Sequence, residues 1–300
     1  MEKNRVLSLA ILFVMLAFFQ STFAEERYFQ YKDYQICYEY FPARTEFQDD
    51  TPLVLVHGFM GSRTNFYPLI TKLRGKIPIF TLDLLGFGDS SKPKVFTYSR
   101  SNLAESLASF IENSILEPVD LLGHSMGGEI SLFLARNNPH LIKKLILVDS
   151  AAYSSTNHIP GWVLSLKPVS APVIDIFLLN RPMMKYFLKR GFLSGKIPKV
   201  RLNSYVDSAL KSKARVILDL ARDNEGGIKK EEIQKITTPT LIIWGEDDEA
   251  VPPEIGLRLD KDLPDSRLVI IPGTAHLPFE EKPEVVSREV LKFTVHENSK

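Results

Sequence analysis

The stretch Val119-Asp120-Leu121-Leu122-Gly123-His124-Ser125-Met126-Gly127-Gly128 decides how the chain is read. An apolar run leads straight into a Gly-x-Ser-x-Gly pentapeptide, and Glu129-Ile130-Ser131-Leu132-Phe133-Leu134-Ala135-Arg136 follows with the apolar spacing of a helix. The pattern predicts a buried strand, a sharp turn and a helix, with Ser125 at the tip of the turn. Gly123 and Gly127 permit the strained backbone and keep strand and helix clear of one another. Such a turn exposes the Ser125 hydroxyl. It also leaves the Met126 N–H at a helix N-terminus, where the macrodipole favours negative charge, so an oxyanion forming beside Ser125 would meet a donor.

To either side, apolar runs alternate with helical spacings. Pro52 to His57 is continuously apolar, the mark of a strand covered on both faces. A helix is expected from about Thr64 to Leu73, a strand at Ile77–Leu82, a helix capped by Ser99 or Ser101 and reaching about Asn113, and a strand at Lys144–Val148. This β-α-β alternation with short connections argues a parallel sheet with helices on both faces. Ahead of it, Tyr28 to Tyr40 is rich in aromatic and β-branched residues and is broken at Lys32-Asp33, which predicts an edge hairpin. The sheet pattern resumes at Pro239–Gly245, with a helix at Pro253–Leu263, a last strand at Arg267–Ile271 and a closing amphipathic helix at Pro283–Val295.

Five segments together make the sequence resemble the α/β-hydrolase superfamily: the Gly123–Gly127 elbow, His57-Gly58-Phe59-Met60-Gly61-Ser62, Asp83-Leu84-Leu85-Gly86-Phe87-Gly88-Asp89-Ser90, Gly245-Glu246-Asp247-Asp248-Glu249-Ala250-Val251-Pro252 and Pro272-Gly273-Thr274-Ala275-His276-Leu277-Pro278. The resemblance covers residues 28 to 296 and implies a mostly parallel eight-stranded sheet flanked by helices, with a helical cap inserted between its two halves. It divides the chain into a core from 25 to 150, a cap from 151 to 236 and the rest of the core from 237 to 300. It implies Ser125 as nucleophile, His276 as base and Asp248 as the orienting acid, in the chain order this fold uses. It further implies the backbone N–H groups of Phe59 and Met126 as the oxyanion hole. Asp247 and Asp149 are rival positions for the acid, and Asp83 and Asp89 read as turn-binding residues.

The cap region is broken by Pro160, Pro168, Pro172, Pro182 and Pro198, with helical spacing at Ile174–Leu179, Met183–Leu188 and Tyr205–Ala221. Its apolar side chains, among them Phe177, Leu178, Leu179, Met183, Met184, Phe187 and Phe192, favour a hydrophobic acyl group. Between 151 and 222 there are 12 Lys or Arg and 3 Asp or Glu, a net of +9 in a chain of net +1. A solvated basic face and an anionic lipid surface as partner are the two readings of that asymmetry.

Three hundred residues, 44% hydrophobic, give one large core, and the charge balance carries no nucleic-acid signature. Lys3 and Arg5 precede a 14-residue apolar run, Val6 to Phe19, and Ser21-Thr22-Phe23-Ala24 offers small residues before Glu25. This matches a secretory signal over residues 1–24. The run is shorter than the about 20 residues of a membrane span, and an uncleaved anchor is the competing reading. Export to the periplasm or beyond is expected either way. The single Cys37 reads as a small buried hydrophobe. No zinc spacing or phosphate loop is present, so no cofactor or metal is implied. The reaction expected is hydrolysis of carboxylic esters, esterase- or lipase-like, through an acyl-enzyme. C–C bond hydrolysis of ring-fission products with the same triad is the alternative, and a non-catalytic ligand-binding member of the fold the remote one.

Overall fold

The structure is a computed structural model that describes residues 25–44, 51–153, 179–191, 197–221 and 227–295. The expected leader is therefore outside the described residues, as are Phe177, Leu178, Phe192 and the prolines at 160, 168 and 172.

Eight strands form one sheet: β1 (Glu26–Tyr31), β2 (Tyr34–Phe41), β3 (Leu53–Val56), β4 (Ile79–Leu82), β5 (Val119–His124), β6 (Ile142–Val148), β7 (Thr240–Gly245) and β8 (Ser266–Ile271). Their order is β1-β2-β4-β3-β5-β6-β7-β8. The β1–β2 and β2–β4 pairings are antiparallel and the rest parallel. The expected edge hairpin is present, turning at Lys32, whose φ is 52°. Strands β3, β5 and β7 are buried along their whole length, because helices cover both faces and the alternation of a half-exposed strand would leave polar groups without water.

The helices are α1 (Tyr67–Leu73), α2 (Arg100–Phe110), α3 (Met126–Asn137), α4 (Arg181–Gly191), α5 (Lys199–Lys211), α6 (Ala214–Ala221), α7 (Lys230–Ile233), α8 (Pro253–Asp262), α9 (Pro278–Glu281) and α10 (Pro283–Thr294). Ser99 caps α2, its hydroxyl accepting from Asn102 N–H at 3.2 Å. The first turn expected of α1 is instead a 3₁₀ turn at Arg63–Phe66. One core cluster, including Leu103, Leu121, Ile130 and Leu145, fills the α2–α3 side of the sheet. A second, including Leu55, Leu69, Leu122 and Val286, fills the α1–α10 side. β5 supplies both, since its successive side chains point to opposite faces.

Helices α4 to α7 lie between β6 and β7 in the chain. The single helix expected over Tyr205–Ala221 is two, α5 and α6, because Ser212 takes an extended backbone (φ −67°, ψ 154°) that ends α5. Apolar periodicity runs through the break and conceals it. No helix among the described residues is long and apolar enough to cross a membrane.

Candidate active site

β5 delivers Ser125 to the carboxyl end of the sheet, and α3 begins one residue later. Ser125 has φ 53° and ψ −120°, a conformation that L-residues avoid and that persists only where the surroundings hold it. The surroundings do so with backbone bonds. Ser125 N–H donates to the Val148 carbonyl at 3.1 Å, and the Ser125 carbonyl accepts from Gly128 N–H at 2.9 Å and Ala151 N–H at 3.0 Å. At Gly127 an added Cβ would stand 2.3 Å from the Val56 carbonyl oxygen, so α3 can approach β3 this closely only with glycine there. Met126, next to Ser125, opens α3 with its N–H at the positive end of the helix.

The loop after β3 passes directly over this turn. A Cβ on Gly58 would lie 3.0 Å from Ser125 Cβ and 2.9 Å from His124 Nδ1, which sets the Gly58–Phe59 backbone against the serine. The loop is held by His57, whose Nδ1–H donates to the Gly58 carbonyl at 2.7 Å while its Nε2 accepts from Leu84 N–H at 3.0 Å. Burial pushes the His57 pKa down, so the ring is neutral and one tautomer serves both bonds.

His276 follows β8 and is buried. Its Nδ1 lies 2.7 Å from Asp248 Oδ2, and the other Asp248 oxygen accepts from the N–H groups of Ala250 and Val251 at 2.8 and 2.9 Å. These bonds orient the carboxylate. His124 Nε2 bonds the His276 carbonyl at 2.9 Å. Burial, then the neighbouring His276, holds the His124 pKa well below the ordinary histidine value, so His124 is a neutral donor.

The rival acids separate by environment. Asp247 is exposed. Asp149 is fully buried at the end of β6, with φ 44°; one oxygen accepts from Gly245 N–H at 2.7 Å and the other has no hydrogen-bond partner. Burial, then the adjacent Asp248 carboxylate, pushes the Asp149 pKa well above the usual carboxylate range. Two acids lie side by side here, and Asp149 is the one whose charged form is disfavoured. His124, Asp149 and His276 form the one cluster of possible metal-ligating atoms among the described residues, all within 4.8 Å of one another. Its imidazoles are engaged with Asp248 and a backbone carbonyl, which suits proton transfer rather than metal ligation.

Behind the site is a buried cation that motif reading passed over. Arg63, 2% exposed, bonds Glu39, Asp83 and Asp89 and reaches Glu26. Asp83 accepts from Arg63 N–H at 2.6 Å and from Asp89 N–H at 2.7 Å, in keeping with a structural role. No local motif announces this cluster, because its four acids come from β1, β2 and the loop after β4.

A family model for the alpha/beta hydrolase fold matches residues 51–283. The chain is 35% identical over 256 residues to the uncharacterized hydrolase YugF of Bacillus subtilis (strain 168), covering 80% of this chain and 89% of that protein. It is 30% identical over 253 residues to lipase 3 of Moraxella sp. (strain TA144), covering 81% and 76%. To 2-hydroxy-6-oxo-6-(2'-aminophenyl)hexa-2,4-dienoic acid hydrolase of Metapseudomonas resinovorans it is 28% identical over 254 residues, covering 81% and 83%. With the family model matching more than half of its residues, and with the sheet and elbow described above, this chain belongs to the α/β-hydrolase family.

Proposed function

We propose that the protein is a serine hydrolase of carboxylic esters with hydrophobic acyl groups. The observation that carries the reading is the Asp248–His276 pair, 2.7 Å apart and buried, at the sheet end where Ser125 is held at φ 53°. With Nδ1 committed to Asp248, His276 takes the Ser125 proton at Nε2 as Oγ attacks the acyl carbon. The oxyanion is received by the Phe59 and Met126 N–H groups. Collapse breaks the ester C–O bond, and the proton on Nε2 goes to the leaving alkoxide; water then repeats the sequence on the acyl-enzyme.

The acyl preference is supported by an apolar cluster over the Gly58 loop, in which Met184, Val206 and Ala209 pack with Met60, Leu179 and Met183. Methionine adapts its shape and suits an acyl chain of variable length. A panel of p-nitrophenyl esters of rising chain length tests this, run beside a vinylogous diketone on protein lacking residues 1–24. Rising kcat/KM with chain length is expected. Turnover of the diketone alone would favour C–C hydrolysis, the reaction class suggested by the hexadienoic acid hydrolase relative.

The reading extends to an exported enzyme that works at an anionic lipid surface. Supporting it, α4 exposes Tyr186 and Phe187 beside Lys185 and Lys189, a pairing of apolar and cationic side chains that suits a headgroup region. Cosedimentation with anionic vesicles should exceed that with zwitterionic ones and weaken as salt rises. Equal binding to both, or none, would restrict the enzyme to soluble esters.

A further inference from the structure

Helix α5 does more than cover the site: it grips both loops that carry the reaction. Ser208 Oγ lies 2.7 Å from Ser62 Oγ, in the loop that begins at Gly58. One turn and more away, Arg201 makes two sets of bonds at once. Its Nε donates to Glu280 Oε1 at 3.2 Å and Oε2 at 3.0 Å, Nη2 donates to the same Oε2 at 2.8 Å, and Nη2 also donates to the Asn65 carbonyl at 3.1 Å. Tyr205 repeats the bridge, its hydroxyl donating to Glu280 Oε2 at 3.1 Å and lying 3.3 Å from the Asn65 carbonyl. Glu280 is in α9, which starts two residues after His276, and its N–H donates to the Leu277 carbonyl at 2.9 Å. Asn65 closes the Gly58 loop by accepting from Ser62 N–H at 2.6 Å.

We infer that Arg201 is a positioning residue which, from the inserted helix α5, locks the oxyanion loop to the loop bearing His276. The inference rests on the serine-hydrolase reading for its kinetic consequence but not for its structural one. A guanidinium is required because its planar fork can serve a carboxylate and a carbonyl together, whereas an ammonium is a point donor. Glu280 and Tyr205 are almost wholly buried, so water cannot substitute for the missing bonds. A segment whose sequence reads as a substrate-shaping cap thus also supplies part of the framework of the catalytic centre.

The test compares full-length wild type, Arg201→Lys, the double variant Arg201→Met/Glu280→Gln, and Arg181→Gln as a control. The double variant guards against misfolding, since it leaves no unpaired buried charge. Arg181 ties α4 to α5 through Asp207 in an exposed pair that touches neither loop. Hydrogen–deuterium exchange should quicken in peptides covering both 58–66 and 275–281 in the two Arg201 variants and not in the control. On an ester substrate kcat should fall by about 10- to 100-fold while KM changes by no more than about 2-fold, as expected when reacting groups are misplaced by a fraction of an ångström to an ångström. Exchange that quickens only within 199–211, or a kcat within about 2-fold of wild type in both variants, would overturn the inference. Should wild type turn over no ester at all, the hydrolase reading falls, and the exchange pattern alone decides whether Arg201 couples the loops.

Discussion

The residue before Ser125 holds the backbone of His276: His124 Nε2 lies 2.9 Å from the His276 carbonyl, with the two rings 4.8 Å apart. Ser125 and His276, 151 positions apart in the chain, are thereby joined through one side chain. His124→Phe keeps the ring volume and strands a buried carbonyl. It should cost about 1–3 kcal/mol of stability and lower kcat by about 10- to 100-fold, read by thermal melting and steady-state kinetics. Unchanged kinetics would show that the bond serves folding alone.

Ser125→Ala should fold as wild type does and lose roughly 10⁴-fold or more in kcat, because the three groups act as a unit. A fluorophosphonate probe should label wild type at Ser125 and leave the variant unlabelled. Labelling elsewhere, or full activity of the variant, contradicts the assignment.

Asp248→Asn and Asp149→Asn should differ sharply. The first removes the charge that orients His276 and stabilises its protonated form, a change that costs about 10⁴-fold in a serine protease. The second replaces a carboxyl that burial and Asp248 already keep protonated, so little charge is lost. Its effect on kcat should stay below about 10-fold. Reversed magnitudes would move the acid to the end of β6.

Asp120 offers a test of stability against pH. It is 1% exposed, and burial pushes its carboxyl up to about 7, opposed only in part by Lys144 and Lys143. In the unfolded chain it titrates near 4. Between about pH 4 and pH 7 the native state therefore holds a proton that the unfolded chain has released, and stability falls as pH rises through that window, by at most about 4 kcal/mol. Asp120→Asn should flatten the fall and raise the urea midpoint at pH 8 more than at pH 4. Parallel pH dependence in wild type and variant would assign the loss to other groups.

What the sequence determined by itself was local. Ser125 between its glycines and the buried runs of β3, β5 and β7 are each specified within a few residues, by sterics and by period, and the cap of α2 is narrowed to Ser99 or Ser101. A parallel sheet follows from that alternation, and its eight strands are what the family resemblance implies. The resemblance pointed to Asp248, but tertiary structure alone shows which acid bonds the imidazole: Asp149, Asp247 and Asp248 are the same side chain, told apart in the fold by burial and by spacing from His276. The same holds for the break at Ser212, where the apolar period continues although the backbone does not. Nothing in the neighbouring sequence marks out Arg63 or Arg201, because their partners, Glu26, Glu39, Asp83 and Asp89 for one and Asn65 and Glu280 for the other, are remote in the chain. A buried charge is stable only where partners converge on it, and convergence is a property of the fold rather than of any window of residues.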